Sequence, residues 1–292
     1  MIGQPYETSG AALGASPEKS IKISQFQIIQ RPKYGRWISG ALVLTALGLI
    51  GYSFATGQIE WEYFRSFMTA PAILAGVANT VLLAVLAMAI GVVLGTVVAV
   101  MRGSGNPVME WTASGYIWLF RGTPVLLQLM LWYNLALVFP NFGIPGVWSV
   151  RMIDIMTPFW AALIGLGLNQ GSYTAEIIRA GMLSVDSGQY EAAKTIGMTR
   201  LKALRRIVLP QAMRVVIPPL GNEFILMVKT TSLASVIQFS ELLYSASSIY
   251  YANARVVELL LVAGAWYLVA VSVLTLLQIP LERHFSKGSA PR

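Results

Sequence analysis

Few side chains in this sequence are placed to do chemistry, and those few interrupt apolar runs. Glu176 closes an uncharged stretch that begins at Ile155, and Glu223 and Lys229 break a second apolar stretch that continues into Thr230, Thr231 and Ser232. Charged groups at membrane depth are costly, so they are candidates for function by default. The chemistry they offer is recognition of charge and hydrogen bonding, not catalysis. There is no Cys and a single His, His284. That leaves no catalytic thiol and no Cys-rich zinc site, and no paired carboxylates, His-rich cluster or metal motif stand out near the interface, so no catalytic residue and no metal ligand is expected. A third group stands apart. Residues 191–210, EAAKTIGMTRLKALRRIVLP, form a charged, water-compatible segment between apolar ones.

The elements that must position these residues follow from composition. The 292 residues are 55% hydrophobic and only 12% charged, with a mean hydropathy of +0.63. Soluble domains carry about 25% charged residues. The pattern predicts an all-α, polytopic membrane protein. The net charge of +8 is spread between apolar runs, as membrane topology requires, and not gathered on a nucleic-acid-binding face. A spanning helix needs about 20 mostly apolar residues. Uncharged runs at 37–59, 66–101, 122–150, 155–175 and 259–281 meet this. The first begins too late for a signal peptide and reads as a retained span.

A sixth span is deduced from charge. Basic loops face the cytoplasm. Arg179, Lys194, Arg200, Lys202, Arg205, Arg206 and Arg214 lie after the fourth run, and Arg283, Lys287 and Arg292 end the chain. For both to lie inside, residues near 215–237 must cross as well, despite Glu223, Lys229, Pro218 and Pro219. The loops placed outside hold three basic residues, Arg65, Arg151 and Arg255. Both termini are therefore expected in the cytoplasm. The tail of residues 1–36 is expected to be disordered.

The charged stretch has its own local logic. Asp186 is placed to cap a helix, with Gln189 three residues on as a capping box. Gly197 is placed to end that helix, since glycine enters the left-handed conformation cheaply. A second helix is expected from Thr199 to Val208, and Pro210 resets the chain for the next span. Two adjacent alanines, Ala192 and Ala193, would let another backbone approach.

Glu191-Ala192-Ala193, then Gly197, then Ile207, Leu209 and Pro210 at these spacings resemble the cytoplasmic loop signature of ABC importer permeases. Residues 120–124 (Phe-Arg-Gly-Thr-Pro) with Gln128, 172–179 (Ser-Tyr-Thr-Ala-Glu-Ile-Ile-Arg), Gly188-Gln189 and 229–233 (Lys-Thr-Thr-Ser-Leu) are similar to the polar amino acid branch, the histidine and glutamine permease type. The likeness covers roughly residues 70–285. It implies a five-span core at 70–282 with a cytoplasmic coupling loop at 181–214, an extra N-terminal helix at 37–59 and a cytoplasmic tail at 283–292. It also implies a bacterial cytoplasmic (inner) membrane location and three partners: an ATPase subunit gripping Glu191, Ala192, Ala193, Gly197, Ile207, Leu209 and Pro210; a second permease chain, identical or related; and a periplasmic or surface substrate-binding protein. ATP and Mg would be used by the ATPase. No Gly-x-x-x-x-Gly-Lys-[Ser/Thr] loop occurs in this chain, and no cofactor of its own is expected.

An amino acid is a zwitterion and needs an acceptor for its ammonium and donors for its carboxylate. Under the resemblance, Gln128, Tyr173, Glu176, Glu223, Lys229, Thr230 and Ser232 are the candidate pathway residues. The structural alternatives remain open. Glu176 can pair with Arg179 one helical turn away, Lys229 can pair with Glu223 of a partner chain, and Gln128 can bond a neighbouring helix. Gly91 and Gly95 read as a helix-packing pair, and Trp132, Tyr133, Trp148 and Trp160 as an interfacial belt. Rival readings are a permease for an opine or organic cation, an ATPase-independent carrier or channel, and a membrane enzyme. The last lacks its constellation.

Overall fold

The computed structural model describes residues 34–144 and 146–285. The expectations for residues 1–33 and 286–292 lie outside them. Two units are distinguished, one ending at Gly57 and one beginning at Gln58. The described residues of the first form helix α1 (Tyr34–Thr56), uncharged after Arg36.

The second unit is helical almost throughout. Short α2 (Trp61–Met68) is strongly amphipathic and precedes α3 (Pro71–Arg102). Proline in the first turn of α3 costs no hydrogen bond, because that N–H would lack a helical partner anyway. Then come α4 (Pro107–Gly122) and α5 (Val125–Tyr133), a 3-10 turn at Leu135–Leu137, and strands β1 (Asn141–Ile144) and β2 (Trp148–Arg151). Short α6 (Met152–Ile155) leads into α7 (Pro158–Leu183). The charged segment after α7 is α8 (Ser187–Thr195), α9 (Arg200–Ala203) and a π-helical turn at Leu204–Val208. The chain continues as α10 (Leu209–Thr230), a 3-10 stretch at Thr231–Ile237, α11 (Leu242–Asn253) and α12 (Val256–Phe285).

Among the described residues, α1, α3 and α12 are both long and apolar enough to cross a membrane. Helices α7 and α10 have the length, 26 and 22 residues, but carry polar side chains. One expected span is displaced. The run 122–150 was uncharged, yet the helix occupies Pro107–Gly122, breaks at Thr123-Pro124 and resumes to Tyr133. Glu110 and Arg121 hid its first half from a charge-based reading, and 141–151 is a hairpin. The span expected at 215–237 likewise starts earlier, at Leu209, and its last seven residues are 3-10.

Helices α3 and α7 form the central pair. A Cβ on Gly91 would lie 2.7 Å from Gln170 Cβ, and one on Gly95 would lie 2.8 Å from the Gly171 carbonyl oxygen. The two glycines serve close helix packing, as read from the sequence. Leu83, Ala84, Ala87, Leu129, Leu166, Met227, Val228 and Ile237 make the largest buried core, with Trp132 and Tyr133 packed against it. Those two aromatics are therefore core neighbours more than belt residues, whereas Trp148 and Trp160 are exposed. Helix α11 was not foreseen. The buried Glu241 carboxylate caps it, accepting from the Leu243 and Tyr244 N–H groups at 2.9 and 2.7 Å and from the Tyr267 hydroxyl at 2.7 Å.

Candidate functional site

The loop after α7 is a rigid, outward-facing helix pair. Asp186 accepts a hydrogen bond from Gly188 N–H at 2.7 Å and so caps α8. The reciprocal half of the expected capping box is replaced: Gln189 Oε1 instead accepts from Gln211 of α10 at 3.3 Å. At the other end Gly197 sits at φ +75°. Met198 N–H bonds the Ala193 carbonyl and Gly197 N–H bonds the Lys194 carbonyl, each at 3.0 Å. This pair of bonds is the Schellman arrangement that a left-handed residue permits. The helix is thus fixed at both ends by residues whose types demanded it.

The motif residues divide between inside and outside. Ala193 is buried against the second half of the loop, while Glu191, Ala192 and Gly197 face out. Of the two alanines, only Ala192 is open to an approaching backbone. Ile196 and Leu201, 74% exposed each, and Tyr190 add apolar surface beside Lys194, Lys202, Arg205 and Arg206. The second helix differs from expectation. It runs without a break into α10, through a π turn at Leu204–Val208. Pro210 lacks an N–H and its ring crowds the preceding turn. The wider π turn directly before it accommodates that ring, so Pro210 redirects a continuous helix instead of separating two. Ile207 is half-buried in this turn, and Leu209 and Pro210 are exposed.

The polar residues at membrane depth bond mainly with one another. Gln128 Nε2 donates to the Phe120 carbonyl (2.9 Å), the Thr123 carbonyl (3.1 Å) and the Thr123 hydroxyl (2.8 Å), spanning the break between α4 and α5. Asn169 of α7 donates to the Phe120 carbonyl at 2.8 Å and to Gln128 Oε1 at 3.2 Å. The carbonyls stranded where Pro124 ends the helix are satisfied by these two amides. Nothing singled out Asn169 beforehand, although an Asn-Gln pair inside an uncharged run was the available signal.

Glu176 joins three cations from three helices. Arg102 of α3 bonds one carboxylate oxygen. Arg179, one turn on, bonds the other at 3.0 Å, and Arg121 of α4 lies 3.9 Å from it. The cluster carries one negative and three positive charges. The Arg121 guanidinium also lies 5.1 Å from the centre of the Tyr173 ring. The pairing of Glu176 with Arg179 is present, extended by Arg102 and by Arg121 of the Phe-Arg-Gly-Thr-Pro motif.

A small cleft opens beside this cluster. Asn169, Gln170, Tyr173, Glu223 and Thr230 line it with Val125, Leu166, Leu226 and Met227, around a volume of about 120 Å³. Tyr173, Glu223 and Thr230, three of the sequence-derived pathway residues, are thereby brought together. Glu223 meets only the Gln170 amide, at 3.4 Å, among the hydrogen bonds of the described residues. Lys229 is exposed, and the Ser232 hydroxyl bonds the Lys229 carbonyl at 2.7 Å. Gln128 and Glu176 lie outside the cleft lining.

The structure combines a helical body, a capped helix pair at one end of α7, and a polar cleft lined from α7 and α10. Residues 91–287 match the family described as the inner membrane component of binding-protein-dependent transport systems, and the chain belongs to that family. It is the permease subunit of an ABC-type importer, all-α as expected. It is 43% identical over 258 residues to the arginine transport system permease protein ArgU of Corynebacterium glutamicum, covering 87% of this chain and 81% of that one. It is 42% identical over 203 residues to the octopine transport system permease protein OccM of Rhizobium radiobacter, covering 70% and 81%. Among solved structures, the crystal structure of an amino acid ABC transporter with histidines matches with a TM-score of 0.67 at 36% identity, covering 76% of this chain and 98% of that one.

Proposed function

We propose that this chain moves a polar amino acid across the cytoplasmic membrane. Its 186–210 loop seats on a separate ATPase subunit that uses ATP and Mg, a second permease chain completes the pathway, and a substrate-binding protein delivers the cargo. The chain itself catalyses nothing, and both termini lie in the cytoplasm. The observation that carries the reading is α8: a helix fixed by Asp186 and Gly197, presenting Glu191 and Ala192 outward at the end of α7. Such a lever transmits motion because both ends are locked. The names of the relatives support an amino acid as cargo, and the cleft agrees, pairing a lightly bonded carboxylate, Glu223, with the Tyr173 and Thr230 hydroxyls. An opine is the second reading, favoured by the likeness to the octopine permease.

The test is ATP hydrolysis by the assembled importer in nanodiscs, with binding protein loaded from a panel of amino acids and opines. One loaded protein should stimulate hydrolysis and so name the cargo. Glu191→Lys leaves the fold intact and should abolish that stimulation. Gly197→Val forces a β-branched residue into the left-handed region at a cost of roughly 1–2 kcal/mol and should do the same. Normal stimulated hydrolysis and transport by both variants would remove the docking role from this loop.

A further inference from the structure

The hairpin after α5 has a surface that nothing in the described chain covers. Its register pairs Asn141 with Arg151, Phe142 with Val150, Gly143 with Ser149 and Ile144 with Trp148. Side chains alternate between the faces of a strand, and directly opposed residues share a face. One face therefore carries Phe142, Ile144, Trp148 and Val150, all apolar. The other carries Asn141, Gly143, Ser149 and Arg151. The Phe142 and Trp148 rings meet at 5.8 Å between centroids, which ties the apolar face together. All four of its residues are exposed, as is Val147 in the turn. An isolated two-stranded hairpin is marginal in water, so a clean apolar face on one needs a cover.

The surroundings identify the cover. Helix α7 separates the hairpin from the coupling loop by 26 residues, roughly 39 Å at 1.5 Å per residue, which exceeds the ~30 Å hydrocarbon core. The hairpin thus lies at the membrane face opposite the coupling loop. Exposed apolar residues flank the hairpin along the chain on both sides. Leu131 on α5 is exposed, then Leu137, Val138 and Phe139 lead into β1, and Trp160 is exposed at the start of α7. Aromatic residues at this level belong to the headgroup boundary. The polar face keeps its one charge compensated, since Arg151 donates to Asp154 at 2.8 and 2.9 Å. A soluble binding protein docks and leaves. A surface for it must tolerate water between visits and is ordinarily mixed in polarity, whereas this face has no polar side chain.

We propose that the β1–β2 hairpin lies on the outer leaflet of the membrane. Its Phe142, Ile144, Trp148 and Val150 face sinks into the headgroup–acyl boundary, and its Asn141, Ser149 and Arg151 face is turned to water. It anchors the outer end of the α5–α7 connection beside the pathway, as an amphipathic segment anchors a peripheral protein.

The chain has no cysteine, so single labels can be placed cleanly. Ile144→Cys and Ser149→Cys, one on each face, would each be labelled with an environment-sensitive fluorophore in the assembled importer in nanodiscs. Retained ATP hydrolysis would verify assembly, and Phe142→Cys would serve as a second apolar-face site. The labels at 142 and 144 should emit to the blue and lose most of their fluorescence to nitroxide-bearing lipids. The label at 149 should be quenched by aqueous iodide instead. Adding loaded binding protein should change neither. Iodide quenching of 144 as strong as that of 149 would overturn the proposal. So would protection of 144 that appears only with binding protein. Shielding of 144 from both quenchers would also overturn it and assign the face to the second permease chain. The quenching reads position alone, so it stands or falls separately from the cargo and the docking loop.

Discussion

At membrane depth, Gln128 fills three acceptors around the α4–α5 break, and Glu176 is shared by guanidiniums from α3, α4 and α7. In the 186–210 loop, Asp186 and Gly197 work inward to hold the helix, while Glu191 and Ala192 point away. Both regions put polar residues where an apolar chain would not need them, but for opposite ends. The membrane cluster spends its hydrogen bonds joining helices, and its loss should show as stability. The loop keeps its motif surface outside its own fold, and the loss of that surface should show as coupling. Polarity within this apolar chain therefore takes two forms, one satisfied between helices and one left open at the surface.

The largest expected loss tests the first half of this contrast. Gln128→Leu fills the same space but removes the donor that the Thr123 hydroxyl and carbonyl share, and leaves Asn169 facing an alkyl group. Orphaned buried polar groups cost about 1–3 kcal/mol each, so the variant should lose roughly 2–3 kcal/mol. The readout is the fraction of monodisperse protein surviving a heating series in detergent. Unchanged survival with altered cargo selectivity would move Gln128 from helix joint to pathway wall.

Glu176→Gln comes next. It leaves Arg102, Arg121 and Arg179 together without their common carboxylate. In a fully buried site, breaking such pairs costs 3–5 kcal/mol. These arginine side chains are 31–43% exposed, so solvent screens much of the repulsion and about 1–2 kcal/mol is expected. High salt should restore part of the survival lost on heating. A variant as stable as the parent, but unable to transport, would make Glu176 a cargo contact after all.

How far the sequence reached follows the same division. The loop was readable residue by residue because its devices are local. A capping Asp and a left-handed Gly act within a few positions of themselves, and both stand where expected. The π turn before Pro210 was not readable, because the proline announced only that something must yield. In the membrane, charge-free windows found α3, α7 and α12 but misplaced the span around 107–133. Arg121 and Glu110 were counted against it, though Arg121 turns toward Glu176 on another helix. In linear order Glu241 is one more charge between two apolar runs, and only tertiary packing shows that α11 is built upon it. Long-range partners such as Asn169 for the α4 carbonyls have no signature in linear order.

Glu223 is where the comparison can be sharpened most finely, since it sits at membrane depth but behaves like the loop residues. Among the described residues its carboxylate accepts only from the Gln170 amide, at the long distance of 3.4 Å, and it lines a cleft with Tyr173 and Thr230. Glu223→Gln keeps that shape, and an amide can still accept from Gln170. Substitutions away from tightly satisfied groups usually change stability by less than about 0.5 kcal/mol, so survival on heating should match the parent. Transport should not. If the cleft holds the cargo as proposed, losing the negative charge removes an attraction for the ammonium that every free amino acid carries. Uptake by reconstituted importer should fall while hydrolysis stimulated by loaded binding protein persists, because the loop and its docking are untouched. Loss of stability without selective loss of uptake would place Glu223 with Gln128 and Glu176 among the helix joints. The cleft would then be packing space in this conformation, and the cargo route would have to run along another face of α7 and α10.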